Sequence, residues 1–325
     1  MKKILYTVCS ANHLAHCKTM VDSFMEYNKG YEIVIGLVDK TDHRFSAKEF
    51  LPCHLVEIAS MEIPDFEELL YRYTVIELNC AMKVFVAQYI FRQYNPDILM
   101  YLDSDMWVKN SIGELEAKLA AHPMLLTPHF TVPLPDNEAR PLERDLLRSG
   151  IYNAGFMAFR RSETVTRFLQ WWSGHMRGEC YYNFAEGMGV DQIWLNLVPL
   201  LFPETGIIRD PGANVAYWNL HERSLSAVDD TIMVNGDYPL LFLHISGYRF
   251  DEPEKLSRHQ TRFILDDQPL LKELLARYRE LVIRNGYEKF SSMPCLYAKP
   301  VKKSTGLMKT VNQLLKPLGI KLSGV

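Results

Sequence analysis

A strand-length apolar segment, a helical segment and a second apolar strand segment follow one another within the first 38 residues, and that order restricts the folds open to the chain. Lys3–Cys9 reads as a buried strand, residues 12–27 carry apolar side chains at helical spacing (Leu14, Cys17, Val21, Phe24, Met25), and residues 31–38 return to strand before Asp39. Strand, helix and strand in this order favour a mainly parallel sheet with helices on both faces, whose binding sites lie at the carboxyl ends of the strands. The expected fold class is therefore α/β: a mixed, mainly parallel, Rossmann-like sheet flanked by helices.

The middle of the chain continues the pattern. Thr74-Val75-Ile76-Glu77 has capping-box spacing and opens a helix expected to run to about Tyr94, where Asn95-Pro96-Asp97 stops it. That helix is apolar almost all round, as expected of one buried on most sides, except at Asn79 and Lys83. Four residues apart, these two share a face, and a buried lysine needs an anionic partner, so the face is expected to meet a cleft or an acidic group. Ile98-Leu99-Met100-Tyr101-Leu102 is a short apolar strand that runs directly into Asp103-Ser104-Asp105. Further strands are expected at 124–129, 151–160 and 240–245, with helices from Ser111-x-x-Glu114 to about Ala121, near 163–177, near 190–197 and at 268–284. Residues 130–149, with three prolines, read as a surface loop that carries specificity.

Composition narrows the function. With 48% hydrophobic and 23% charged residues the chain is a folded globular one, not disordered, collagenous or coiled-coil. A formal charge of −3 provides no global basic field, so nucleic acid is not an expected partner. Residues 289–325 hold seven lysines and no Asp, Glu or Arg, so this segment is +7 and the remaining 288 residues are −10. We therefore expect a catalytic domain over 1–288 and a basic, partly apolar tail over 289–325. The six cysteines form no C-x-x-C pair, which fits a reducing cytosol better than a disulfide framework or a zinc knuckle. After Lys2-Lys3 the apolar run is too short for the roughly 7–15 residues of a signal-peptide core, and no run reaches the roughly 18–20 residues of a membrane span. A cytoplasmic chain, neither exported nor integral, is the expectation.

Several residues carry candidate chemistry. Asp103 and Asp105, on one tight turn after an apolar strand, suit a hard divalent cation that neutralises phosphate oxygens; the bland alternative is two solvated turn aspartates. A phosphatase-type reading, with Asp103 as nucleophile, is disfavoured by Trp107 at the fifth position of that pattern. His244 ends a second apolar strand and precedes Gly247, so it is a candidate third ligand, and its nitrogen shifts the preferred ion from Mg²⁺ toward Mn²⁺; the alternative is a structural histidine. Asp191 and Gln192 form a polar pair at a helix start, where the helix dipole alone would favour an acid. Asn153 lies among small residues opening a strand. The run Asn214-Val215-Ala216-Tyr217-Trp218-Asn219-Leu220-His221 offers a stacking face and hydrogen bonds to a sugar, or is plain core.

Taken in this order, the segments resemble the nucleotide-sugar-dependent glycosyltransferases of the GT-A fold, above all the retaining family 8, which includes glycogenin and the lipopolysaccharide galactosyltransferases. The first strand is matched by Tyr6-Thr7-Val8-Cys9-Ser10-Ala11-Asn12, the basic residue near the donor by Lys83, and the D-x-D by Asp103-Ser104-Asp105. Then follow Tyr152-Asn153-Ala154-Gly155, Asp191-Gln192-Ile193-Trp194-Leu195-Asn196 and His244-Ile245-Ser246-Gly247, so the resemblance covers roughly residues 3–250. A group of bacterial glycosyltransferases is similar in addition over Glu77-Leu78-Asn79-Cys80-Ala81-Met82-Lys83 and from Arg209 to Arg223. Two departures stand out: Ile193 replaces the third acid of D-Q-D, and Tyr248-Arg249-Phe250 stands where the family has K-P-W, leaving Arg249 as the substitute on that loop.

The resemblance implies hexose transfer from a nucleoside diphosphate sugar, a UDP-sugar by preference, to a glycan or lipid-linked acceptor hydroxyl, as in lipopolysaccharide or capsule synthesis. It assigns Mn²⁺ or Mg²⁺ to Asp103, Asp105 and His244, and donor binding to Thr7, Ser10, Asn12, Lys83, Asp103, Ser104, Asn153 and Gly247. Catalysis falls to Asp191, Gln192 and Lys83, with retention and Gln192 near the reacting carbon; an inverting enzyme would use Asp191 as general base. The alternatives from other classes are a non-catalytic nucleotide-sugar or glycan-binding module and a metal-dependent phosphohydrolase. The tail interleaves Lys299, Lys302, Lys303, Lys309, Lys316 and Lys321 with apolar residues, so a peripheral contact with the anionic inner face of the cell membrane is expected, against a solvated tail. Nothing in the residues specifies an oligomeric state.

Overall fold

The computed structural model of the chain describes residues 1–136 and 138–297. In chain order the strands are β1 Lys3–Cys9, β2 Tyr31–Leu37, β3 His54–Glu57, β4 Ile98–Leu102, β5 Met106–Val108, β6 Met124–Pro128 and β7 Tyr152–Arg160. The helices that matter here are α1 Leu14–Tyr27, α2 Phe66–Arg72, α3 Val75–Tyr94, α4 Gly113–Lys118, α5 Glu143–Ser149 and α6 Glu163–Met176, with a later one over Pro269–Arg284.

Across the main sheet the order is Gly206–Ile207, β6, β7, β4, β1, β2, β3. β1 runs parallel to β2 and β4, and β2 to β3, whereas β7 is antiparallel to both β4 and β6. The sheet is mixed and mainly parallel, as expected from the strand and helix alternation. Because successive side chains of a strand point to opposite faces, β1 feeds two cores. Leu5 and Cys9 pack with α1 and the 269–284 helix, while Ile4, Tyr6 and Val8 pack with α3 and α6.

Helix α3 begins on its capping box, Thr74 N donating to Glu77 Oε2 at 2.9 Å, and ends at Asn95 in the left-handed region. Its β-branched residues cost up to ~0.7 kcal/mol each in helix propensity. Burial outweighs this: Leu78, Val84, Val86 and Ile90 are wholly inaccessible, and each such side chain contributes roughly 1.5–3 kcal/mol. Ile76 is the exception, exposed at the mouth of a cleft.

Four local readings change. The stretch 130–149 is not loop throughout, since α5 occupies Glu143–Ser149, where Asp145 Oδ2 accepts the Leu142 N–H at 3.0 Å. The segment near 190–197 is a 3₁₀ turn over Gln192–Leu197 rather than an α-helix. The late strand is shorter, Phe242–His244, and it pairs antiparallel with β5 outside the main sheet. The boundary expected at residue 288 falls within the short helix Tyr287–Phe290. Phe290 and Cys295 are buried, and Leu296 N donates to Asp39 Oδ1 at 3.0 Å, so residues up to 297 pack on the domain. The tail lysines from Lys299 onward lie outside the described residues. The cysteines form no disulfide among the described residues, and no helix of the described residues is long and apolar enough to cross a membrane.

Candidate functional site

Strand β4 is buried at all five residues and releases the chain at Asp103, on the carboxyl edge of the sheet. The chain turns there, Met106 N donating to Asp103 O at 3.2 Å, and enters β5. β5 pairs with Phe242–His244 so that His244 lies opposite Met106, and Ile245 N donates to Asp105 O at 3.0 Å. This pairing carries His244 to the acidic turn. His244 Nε2 is 3.3 Å from Asp105 Oδ1 and 3.8 Å from Asp103 Oδ2, and one ligand atom from each of the three side chains lies within 4.8 Å of the others. Two carboxylate oxygens and an imidazole nitrogen at this spacing could hold a divalent cation.

Lys83 reaches the same turn from α3. Its Nζ lies 3.2 Å from Asp103 Oδ1 and 3.1 Å from Asp191 Oδ2, and donates to Ala154 O at 3.2 Å. Tyr101 Oη donates to Asp103 Oδ1 at 2.5 Å. Burial opposes charge on Lys83, but Asp103 and Asp191 more than reverse that, holding its pKa well above the ordinary lysine value. For Asp191 burial prevails and its pKa is raised, with Lys83 opposing. For Asp105 burial is overridden by the neighbouring His244 imidazole, and the carboxyl is held well below the usual range. Asp103, Asp105 and Asp191 against one ammonium leave these four groups at a formal −2. A diphosphate is repelled by such a surface, and one divalent cation cancels the excess.

Beside this cluster opens a cleft of about 440 Å³, with Ser10, Asn12, Asn79, Lys83, Ser104 and Gly247 among its lining. Gly247 has φ +73°, and a Cβ there would fall 2.4 Å from His259 Cδ2, so only glycine fits this wall. Ser10 Oγ donates to Asn12 Oδ1 at 2.6 Å, and Asn79 Nδ2 to Ser10 Oγ at 3.4 Å.

Five expected site residues are not part of the cleft lining: His244 and Asp191, which stand behind the acidic turn, and Thr7, Asn153 and Gln192. Thr7 lies within β1 and is wholly buried, on the face shared with Leu5 and Cys9; the opening starts one residue later, at Val8 and Cys9 at the strand's end, and continues through Ser10 and Asn12. Asn153 is buried behind His244, its Oδ1 3.2 Å from His244 Nδ1. Gln192 packs against Gly150, where an added Cβ would meet Gln192 Cγ at 3.1 Å. Asp191 is not a simple helix-end charge, since its carboxylate makes no cap hydrogen bond and meets Lys83 instead. The run from Asn214 turns inward rather than toward a sugar: Asn214, Trp218 and Asn219 are buried, and the Trp218 ring stands edge-on to His244 at 5.0 Å. Arg249 lines the cleft but is engaged by Asp251 and, at 3.5 Å, by Glu252.

Residues passed over in the sequence also appear here. His13 and His16 line the cleft, His13 exposed and His16 half-buried, and desolvation by the surrounding protein lowers both pKa values, that of His16 to about 3. Tyr182 and Arg258 complete other parts of the wall. Their only advance signal was the histidine spacing at the start of α1.

No family model matches the chain. A relative in Bacillus subtilis (strain 168), the uncharacterized protein YfnF, is 27% identical over 273 residues, covering 82% of this chain and 88% of its own. Among solved structures, the glycosyltransferase GlyE of Streptococcus pneumoniae TIGR4 is 15% identical with a TM-score of 0.49; it covers 91% of this chain, which spans 66% of its length. The galactosyltransferase LgtC, solved with donor and acceptor sugar analogs, matches over 90% of this chain and 97% of its own at 14% identity, with a TM-score of 0.51. The fold is the GT-A glycosyltransferase fold. In this GT-A framework the cleft opens at the carboxyl ends of β1 and β4, where open α/β sheets bind ligands.

Proposed function

We propose that the protein is a metal-dependent glycosyltransferase that moves a hexose from a nucleoside diphosphate sugar, a UDP-sugar by preference, to a hydroxyl of a glycan or lipid-linked glycan. One observation carries this reading: Asp103, Asp105 and His244 bring ligand atoms within 4.8 Å of one another at the edge of a cleft in a GT-A fold. Mn²⁺, or Mg²⁺, held by these three residues would supply Lewis-acid neutralisation of the departing diphosphate.

The chain's own residues act around that group. Lys83 fixes Asp103 and Asp191 relative to each other, so its charge orients the acidic turn rather than floating free in the cleft. Ser10, Asn12, Ser104 and Gly247 line the wall available to the nucleotide. Retention is the favoured outcome, because the carboxylate of Asp191 is 2% exposed and engaged by Lys83, which leaves it poorly placed to take an acceptor's proton. Acceptors in lipopolysaccharide or capsule synthesis are lipid-linked, and a tail carrying Lys299, Lys302, Lys303, Lys309, Lys316 and Lys321 suits an anionic membrane surface as a peripheral contact.

The test is UDP release from UDP-glucose, UDP-galactose and their N-acetyl forms with Mn²⁺, with thermal shift as a parallel readout of donor binding. One donor should stabilise the fold and be turned over, with loss of about 100-fold or more on chelation or in Asp105→Ala. Donor binding without release would mean a binding module, and phosphate release regardless of nucleotide a phosphohydrolase; either result overturns the proposal. Proton NMR of the new linkage then reads the stereochemistry.

A further inference from the structure

We propose that Arg258 is the anion-binding side chain of the cleft, its terminal guanidinium nitrogens meeting oxygens of the donor's diphosphate, a role for which the sequence alone suggests Arg249. The inference rests on reading the chain as a nucleotide-sugar transferase, and it names the residue that meets the charge left over at that site.

Charge in the cleft calls for a further cation. Asp103, Asp105 and Asp191 against Lys83 leave a formal −2, which one divalent cation only brings to zero. A departing diphosphate adds negative charge that this neutral cluster does not offset, and low-dielectric walls make the imbalance costly. Among the described residues the permanent cations lining the cleft are Lys83, Arg249 and Arg258. Lys83 is engaged by Asp103 and Asp191. Arg249 lies against Asp251 and, at 3.5 Å, Glu252, so its charge is cancelled where it stands. Arg258 has no carboxylate within ion-pair distance among the described residues.

The backbone holds Arg258 on that wall. Gly247 follows His244 by three residues and has φ +73°, and its carbonyl oxygen accepts the Arg258 N–H at 3.0 Å. A Cβ on Gly247 would lie 2.4 Å from His259 Cδ2 and 2.6 Å from Ser257 Oγ, so residues 257–259 pack directly against it. Leu256 and Ser257 are buried, and Ser257 Oγ accepts the His259 N–H at 3.2 Å, which fixes the turn that carries the exposed Arg258. Arg258 Nε donates to His259 Nε2 at 3.2 Å, while its two terminal nitrogens meet no protein acceptor among the described residues. A planar guanidinium anchored at Nε and open at its end suits a pair of phosphate oxygens, which a lysine ammonium matches less well.

The experiment titrates the full chain by calorimetry, in the presence of Mn²⁺, with UDP, ADP, GDP and CDP in turn and separately with inorganic pyrophosphate. Arg258→Gln should bind the preferred nucleotide and pyrophosphate about 10-fold or more weakly, and Arg258→Lys should recover part of the loss. Arg249→Gln should stay within about 2-fold of wild type, because Asp251 and Glu252 already answer its charge. The unfolding midpoint of ligand-free Arg258→Gln should match that of wild type, since the side chain is exposed. Wild-type affinity in Arg258→Gln, or an equal or greater loss in Arg249→Gln, overturns the inference. Pyrophosphate binding that depends on Arg258, with no nucleoside diphosphate bound, would instead overturn the nucleotide-sugar reading and leave the anion assignment intact; binding of neither overturns both.

Discussion

Lys83 Nζ lies 3.1 Å from Asp191 Oδ2, joining α3 to the turn that follows β7 and α6, with Asp103 Oδ1 3.2 Å away as its second partner. Lys83 and Asp191 are 6% and 2% exposed. Removing the lysine therefore leaves two carboxylates without their cation in a poorly hydrated site. Lys83→Met should lose about 3 kcal/mol of stability in urea unfolding. Asp191→Asn should lose less, because the lysine keeps Asp103. Equal losses, or none in Lys83→Met, would show that water rather than the lysine neutralises these groups.

Gly155 has no room for a side chain beside the acidic turn. A Cβ there would lie 2.6 Å from both His244 Cε1 and Asn153 Oδ1, and 2.7 Å from Met106 Cε. Gly155→Ala should therefore push the His244 ring off its position, with a cost of about 1–3 kcal/mol. Mn²⁺ affinity should fall roughly tenfold or more in the same variant. Thermal unfolding and a Mn²⁺ titration check the two effects separately, and unchanged values in both would mean that the ring has room.

His129 is buried, and burial pushes its pKa down to about 4. Its unfolded pKa is ~6.5, so between these values the unfolded chain binds the proton and the folded one does not. Stability from this group is thus present above pH ~6.5 and is lost as pH falls toward 4, at up to ~1.4 kcal/mol per pH unit. His16, at about 3, acts with the same sign. Urea midpoints measured from pH 7 to 4.5 should fall more shallowly in His129→Gln than in wild type, and parallel curves would contradict the assignment.

Glu77 has two tasks. One carboxylate oxygen accepts the Thr74 N–H at 2.9 Å at the start of α3, and the other accepts the Tyr182 N–H at 2.9 Å on the cleft wall. Thr74→Ala should cost about 1 kcal/mol as a lost cap. Glu77→Ala should cost more and also speed amide exchange around Tyr182, which hydrogen exchange with mass spectrometry reads directly. Exchange at Tyr182 that is unaffected by Glu77→Ala would limit the residue to capping.

Much of this architecture was legible along the chain because it is written in local patterns. β1 and β4 begin and end where the apolar runs do, and α3 starts at its capping box and stops at Asn95. The 3₁₀ turn at Gln192–Leu197 and the helix α5 were less legible, since both are short and their periodicity weak. Thr7 escaped because both faces of β1 are covered by packed cores up to that point, and how far along the strand the cover extends is decided by tertiary packing. Asn153 and Asn214 read as turn or sugar-facing residues, yet they stand behind His244.

By itself the amino-acid order determined the alternation of strands and helices, the emergence of two carboxylates at a strand's end, and the burial of a lysine that had to find an acid. Which acids it found, and which histidine nitrogen faces them, was decided only by tertiary structure. Those contacts join β5 to residues 242–244 and α3 to Asp191, segments far apart in the chain, and hydrogen-bond partners at such separations leave no local period to read.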